Sequence, residues 1–196
     1  MAIHVIALSG CTLIIPPHVE PFSFKLACLA YPAQEARFTP LRADQQERYK
    51  GAFIKIMVQS NTDLIEVAEQ HELNLWQDVR FCGNELLSLW TTGELRYGDG
   101  EVNYASAVSA ERDHVHALLR QIPQDAPKSY YFYLDAAGYL RDKDYAWHAP
   151  YNLKAASEDI CVTMRGGSLI SRGFVSNVIV IPKEKIRAAF QAPCEK

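Results

Sequence analysis

The clearest periodic signal in this chain is Val115, Leu118, Leu119 and Ile122, apolar at i, i+3, i+4 and i+7. That spacing lines one face of a helix, so it predicts a helix that opens at Ser109 and stops at Pro123. Four further helices are expected. Thr39-Pro40 opens a polar one that runs to about Lys50. Asn61-Thr62-Asp63 caps one that runs to about His71. Asn84 caps one carrying Leu86, Leu87, Leu89 and Trp90, closed by Gly93. Pro182-Lys183-Glu184 starts one that ends near Gln191.

Between them lie short strand-like runs. Residues 3–15 and Phe22 to Tyr31 predict an N-terminal hairpin around the Pro16-Pro17 turn, and Phe53 to Val58 predicts a strand. Leu95 to Ala107 reads as a turn-rich hairpin, and Leu73 to Phe81 fits helix or strand. Tyr130 to Leu134 predicts a strand, with the segment from Tyr139 as its partner across the Asp135–Gly138 turn. Ile160 to Met164, Ser168 to Ser171 and Phe174 to Ile181 follow as strands. Val178 to Ile181 lacks alternation and is expected to be buried on both faces. The pattern implies an α+β fold, a single domain over 1–196. It has a mainly antiparallel or mixed sheet, hairpins at both ends and about four to five short helices.

Composition narrows the class. Of 196 residues, 48% are hydrophobic and 22% charged, a globular balance that buries a core without metal or disulfide support. The net charge of −3 and the lack of a basic block argue against a nonspecific nucleic-acid or membrane-surface binder. No apolar run approaches the ~20 residues of a membrane span, and the N-terminus has no basic region of a signal peptide. Cys11, Cys28, Cys82, Cys161 and Cys194 are widely spaced, with no CxxC or CxxH pair, so no zinc or other metal site and no cofactor is expected. Cys11, Cys28 and Cys161 lie in apolar runs and read as buried thiols, which implies a reducing, cytoplasmic setting.

Candidate chemistry centres on Cys82, where Val79-Arg80-Phe81 is expected to run into a turn and then a helix. A helix N-terminus favours a thiolate there. A cysteine hydrolase also needs an imidazole base and a group to orient it; His116 or His148 and Asp135 are the candidates. The chain order Cys82, His116, Asp135 is similar to that of papain-like cysteine hydrolases, although His116 falls on a predicted helix rather than a strand. Leu8-Ser9-Gly10-Cys11 resembles a tetrapeptide of toxin-type glutamine deamidases, without the histidine that the following strand carries there. The plain alternative is that Cys82 is an inert buried thiol.

The second candidate is a run of aromatic residues from Tyr130 to Tyr151. One strand face is expected in the core and the other partly exposed, offering Tyr131, Tyr133, Tyr145 and Trp147 to a partner. Arg165 and Arg172 flank Gly166-Gly167 and Gly173, a pattern open to a phosphate or to two ordinary turns. The favoured reading is a non-catalytic interaction protein (an inhibitor, an immunity-type protein or a complex subunit) that meets a protein partner through the 130–151 hairpin. The alternative is a small cysteine-dependent hydrolase or deamidase.

Overall fold

The computed structural model of the chain describes residues 19–27, 53–89, 91, 96–97, 102–103, 121, 123, 126–168 and 173–191. Alternation builds the first sheet. On β2 (Phe53–Ser60), Ile54, Ile56 and Val58 share one face, and all are buried. Opposite them on β6 (Lys128–Asp135) stand Leu134, Phe132 and Tyr130 in antiparallel register. β1 (Val19–Ala27) pairs with the other edge of β2, and β4 (Arg96–Tyr97) joins β6 to β5 (Val102–Asn103), giving the order β1-β2-β6-β4-β5.

The second sheet is built on β9 (Ile160–Gly167). On one side it pairs with β3 (Asn74–Phe81); on the other it pairs with β10 (Phe174–Val175) and β11 (Ile179–Ile181), all antiparallel. Val79, Val162, Met164, Phe174, Ile179 and Ile181 join the apolar face of the first sheet in one core. Helix α1 (Leu64–Gln70) and helix α2 (Lys183–Ala189) close it with Leu64, Ile65, Ala68, Ile186 and Ala189. A hairpin of β7 (Ala137–Arg141) and β8 (Trp147–Asn152) stands as a third, two-stranded sheet and leads into a 3-10 turn at Leu153–Ala155.

Helix α1 begins where its cap predicts. The Asp63 carboxylate accepts from the N–H groups of Ile65 and Glu66. The Tyr130 hydroxyl accepts from the Leu64 N–H at 3.0 Å and donates to Asp63, tying the helix start to the centre of β6.

The expectation of four to five helices is corrected. Only two α-helices occur among the described residues, and the architecture is mostly antiparallel sheet. Asn84 does cap a turn, accepting from Leu86 and Leu87. The helix stops there because Leu89 donates to the Val79 carbonyl and Ser88 exchanges both backbone bonds with Arg141, which pulls the chain into extended form. Leu73 to Phe81, open between helix and strand in sequence, is the strand β3. The predicted helices near 39–50 and 109–122 and the strand over 3–15 lie outside the described residues.

Two pairings also differ. β6 and β7 do not form a hairpin, because both edges of β6 are already occupied by β2 and β4; β7 pairs with β8 instead. Residues 174–181 form two short strands rather than one. Val178 and Val180 are about half exposed, because only alternate residues of β11 face the core. Gly166 and Gly173 serve packing: a side chain at 173 would collide with the Gly166 carbonyl.

Candidate functional site

The β3–β9 register settles the state of Cys82. Phe81 pairs with Ile160 and Arg80 with Cys161, so Cys82 lies diagonally across from Cys161. The two are joined in a disulfide with a Cα–Cα distance of 4.9 Å. Cys161 is therefore not the lone buried thiol that its apolar neighbours suggest. A disulfide sulfur is not a thiolate, and in this state Cys82 is not a nucleophile. Cys11, Cys28 and Cys194 lie outside the described residues.

The other members of the expected catalytic set are not gathered around Cys82. His148 sits on exposed β8, with Nε2 2.8 Å from the Asp142 carboxylate. Asp135 ends β6, where desolvation pushes its carboxyl up to about 6 against two backbone hydrogen bonds that pull it down. Its carbonyl accepts from the Tyr151 hydroxyl. His116 lies outside the described residues.

The aromatic residues divide sharply. Tyr131 and Tyr133, expected at a contact surface, are buried; their rings meet edge to face at 5.6 Å, and the Lys55 ammonium lies over Tyr131. That correction has a physical reason: β6 is an inner strand whose second face is covered as well. The β7–β8 hairpin is the reverse. Tyr139, Tyr145 and Trp147 are 53%, 77% and 56% exposed, which makes them the largest aromatic surface among the described residues. Tyr139 meets Trp147 edge to face at 6.1 Å, and the Arg141 guanidinium stacks 3.9 Å above the Trp147 ring.

The hairpin turn is held by Asp142. Its Oδ1 accepts from the N–H groups of Asp144 and Ala146, and its Oδ2 meets His148. The His148 contact, followed by these N–H groups, holds the carboxyl below the usual range. Tyr145 follows with φ of 63°, a left-handed turn position that throws its side chain into solvent. The Asp142-x-Asp144 pattern is an Asx-turn signal that is local in the sequence.

Beside the hairpin runs an open cleft of about 790 Å³. Its walls carry Gln77, Asp78, Ser88, Arg141, Lys143 and Arg165. Arg165 pairs with Asp78 at 3.2 Å, and Asp78 also accepts from the Ser88 hydroxyl. Arg172 lies outside the described residues. Among the described residues, no cluster of His, Cys, Asp and Glu is arranged to hold a metal ion, and no helix is long and apolar enough to cross a membrane.

No protein-family model matches the chain, and neither a curated protein nor a solved structure shows significant similarity to it.

Proposed function

We propose that this protein is a non-catalytic interaction protein that binds a protein partner through the β7–β8 hairpin. The supporting observation is the exposed Tyr139–Trp147–Arg141 stack on a hairpin whose turn is already fixed by Asp142. Tryptophan, tyrosine and arginine are the residue types that dominate binding energy at protein interfaces. A surface held rigid beforehand loses little entropy when it binds. Tyr145 and Trp147 remain contact residues in this reading, joined by Tyr139 and Arg141; Tyr131 and Tyr133, buried on β6, do not.

The hydrolase alternative requires reduction of the Cys82–Cys161 bond before any thiolate forms, and His148 is engaged by Asp142. A cytoplasmic location is also in tension with that bond, since such disulfides persist in oxidising compartments.

The test places a photo-reactive phenylalanine at position 147 and, separately, at Val180 of β11. Cross-linking of one defined protein from position 147 alone, lost to competition by the unmodified chain, supports the reading. Equal cross-linking from both positions, or none from 147, refutes it.

A further inference from the structure

Two features of the β7–β8 hairpin narrow the kind of partner it can meet. The first concerns its edges. The Leu153 N–H donates to the Ala136 carbonyl, and in the same register Tyr139 stands opposite Pro150. Hydrogen-bonded and open pairs alternate along an antiparallel ladder, so Tyr139 and Pro150 form an open pair, and the Pro150 nitrogen points away from β7. Proline has no N–H to offer there, which blunts the outer edge of β8 against an added strand. The outer edge of β7 is taken at Arg141, which exchanges both backbone bonds with Ser88. A partner is therefore directed to the face of the hairpin rather than to its edges.

The second concerns that face. Alternation and register put Ala137, Tyr139, Arg141, Trp147, Pro150 and Asn152 on it, while Leu140 and Tyr151 turn inward and are buried. Arg141 carries the one formal charge in this set. Asp142, the carboxylate next to it in the chain, is engaged by His148 and two backbone N–H groups. The Trp147 indole N–H and the Tyr139 hydroxyl have no hydrogen-bond partner among the described residues. The face thus offers aromatic surface, donors and a cation, with no carboxylate beside them.

We infer that the partner contributes a proline-rich segment in the polyproline II conformation, with an acidic residue beside the prolines. This rests on the hairpin reading above and gives its partner a chemistry. A polyproline II segment makes no internal hydrogen bonds, so its carbonyls are open to the Trp147 and Tyr139 donors. Its prolines bring no N–H that would be buried without an acceptor. Their rings pack on the exposed aromatic surface, and a segment already extended before binding loses little entropy on docking. The acidic residue answers the Arg141 charge. An α-helix closes its carbonyls in its own hydrogen bonds and a β-strand needs an edge, so neither uses these donors as fully.

Calorimetric titration of the full chain tests this with three end-blocked octapeptides: six prolines between glutamates, six prolines between lysines, and six alanines between glutamates. The glutamate–proline peptide is expected to bind with a Kd of about 0.1–1 mM, ordinary for so short a segment. At low salt the lysine–proline peptide should bind at least about fivefold more weakly. The alanine peptide should bind at least about tenfold more weakly. Trp147→Ala and Tyr139→Ala should each weaken the glutamate–proline peptide by about tenfold or more, and Arg141→Met should abolish the preference for glutamate over lysine. Tyr139 and Trp147 are more than half exposed, so both alanine variants keep the fold, which an unchanged unfolding midpoint verifies. No saturable binding up to about 10 mM, well above the affinity expected of a short segment, overturns the inference. So does equal binding of the proline and alanine peptides or of the glutamate and lysine peptides, or binding that neither alanine variant alters. A defined protein cross-linked from position 147 that the glutamate–proline peptide does not displace overturns this inference and leaves the hairpin reading standing. Absence of cross-linking, with no peptide bound, removes both.

Discussion

Reduction of the Cys82–Cys161 disulfide should destabilise the fold by a predictable amount. The bond joins residues separated by 79 positions. Cross-linking a loop of that length removes entropy from the unfolded chain of about 15 cal/mol/K, which is about 4.5 kcal/mol at 25 °C. The native state should lose little in contacts, since β3 is also held to β9 by an eight-residue antiparallel register. The figure is an upper estimate, because a compact denatured chain has less entropy to lose. The assay is urea unfolding with and without reductant, followed by tryptophan fluorescence. With a slope of about 2–3 kcal/mol/M, the midpoint should fall by roughly 1.5–2.3 M. Alkylation of the native, unreduced protein should leave Cys82 unmodified by mass, and modification should appear only after reduction. Rapid alkylation of Cys82 without reductant, or a midpoint unmoved by reductant, would refute the reasoning and return the thiol to contention as a nucleophile.

Asp135 gives the second prediction. Its carboxyl is raised to about 6 by desolvation, so the folded state binds more protons than the unfolded chain, and stability falls as pH rises from about 4 to about 6. The shift alone would amount to ~3 kcal/mol. The group is only half-buried, and solvent screening leaves about 1 kcal/mol. Asp135→Asn should therefore raise stability at pH 7 by about 1 kcal/mol and flatten the pH profile, read by thermal unfolding at pH 4 and pH 7; an unchanged slope would refute it. Tyr130→Phe strips the buried Leu64 N–H of its acceptor and should cost about 1–3 kcal/mol in urea unfolding. A cost below about 0.5 kcal/mol would mean the helix start does not depend on β6. Trp147→Ala should weaken the partner complex by about 30-fold or more while moving the unfolding midpoint by less than about 0.5 kcal/mol.

Local signals were readable where local forces decide the outcome. Asp63 caps α1, the β2 run alternates, and Lys183 begins the last helix, each set by groups within a few residues of one another. Reading failed where distant partners decide. Asn84 offers a good helix cap, but Val79 and Arg141 claim the backbone of Leu89 and Ser88. Tyr131 alternates as a surface residue does, yet its strand lies inside the sheet, and strand order is invisible in a single sequence. The disulfide was illegible for the same reason. Cys82 and Cys161 meet only because β3 and β9 pair, and nothing in their spacing announces that.

The failures at Asn84 and at the disulfide converge on one strand. β3 carries Gln77 and Asp78 in the cleft wall, and its Val79 carbonyl holds Leu89 in place. Ser88, next to Leu89, makes the paired backbone bonds to Arg141 that brace the hairpin near its tip. At the hairpin base, Tyr151 packs edge to face on Phe81, the last residue of β3, and reaches the Asp135 carbonyl with its hydroxyl. A two-stranded hairpin is marginal by itself in water. This one borrows its order from β3 at both ends, and β3 is in turn fixed to β9 by eight backbone pairs and one covalent bond. The exposed aromatic stack and the cleft therefore share one support. In the proposed interaction the aromatic stack is therefore ordered before a partner arrives, which lowers the entropic cost of binding.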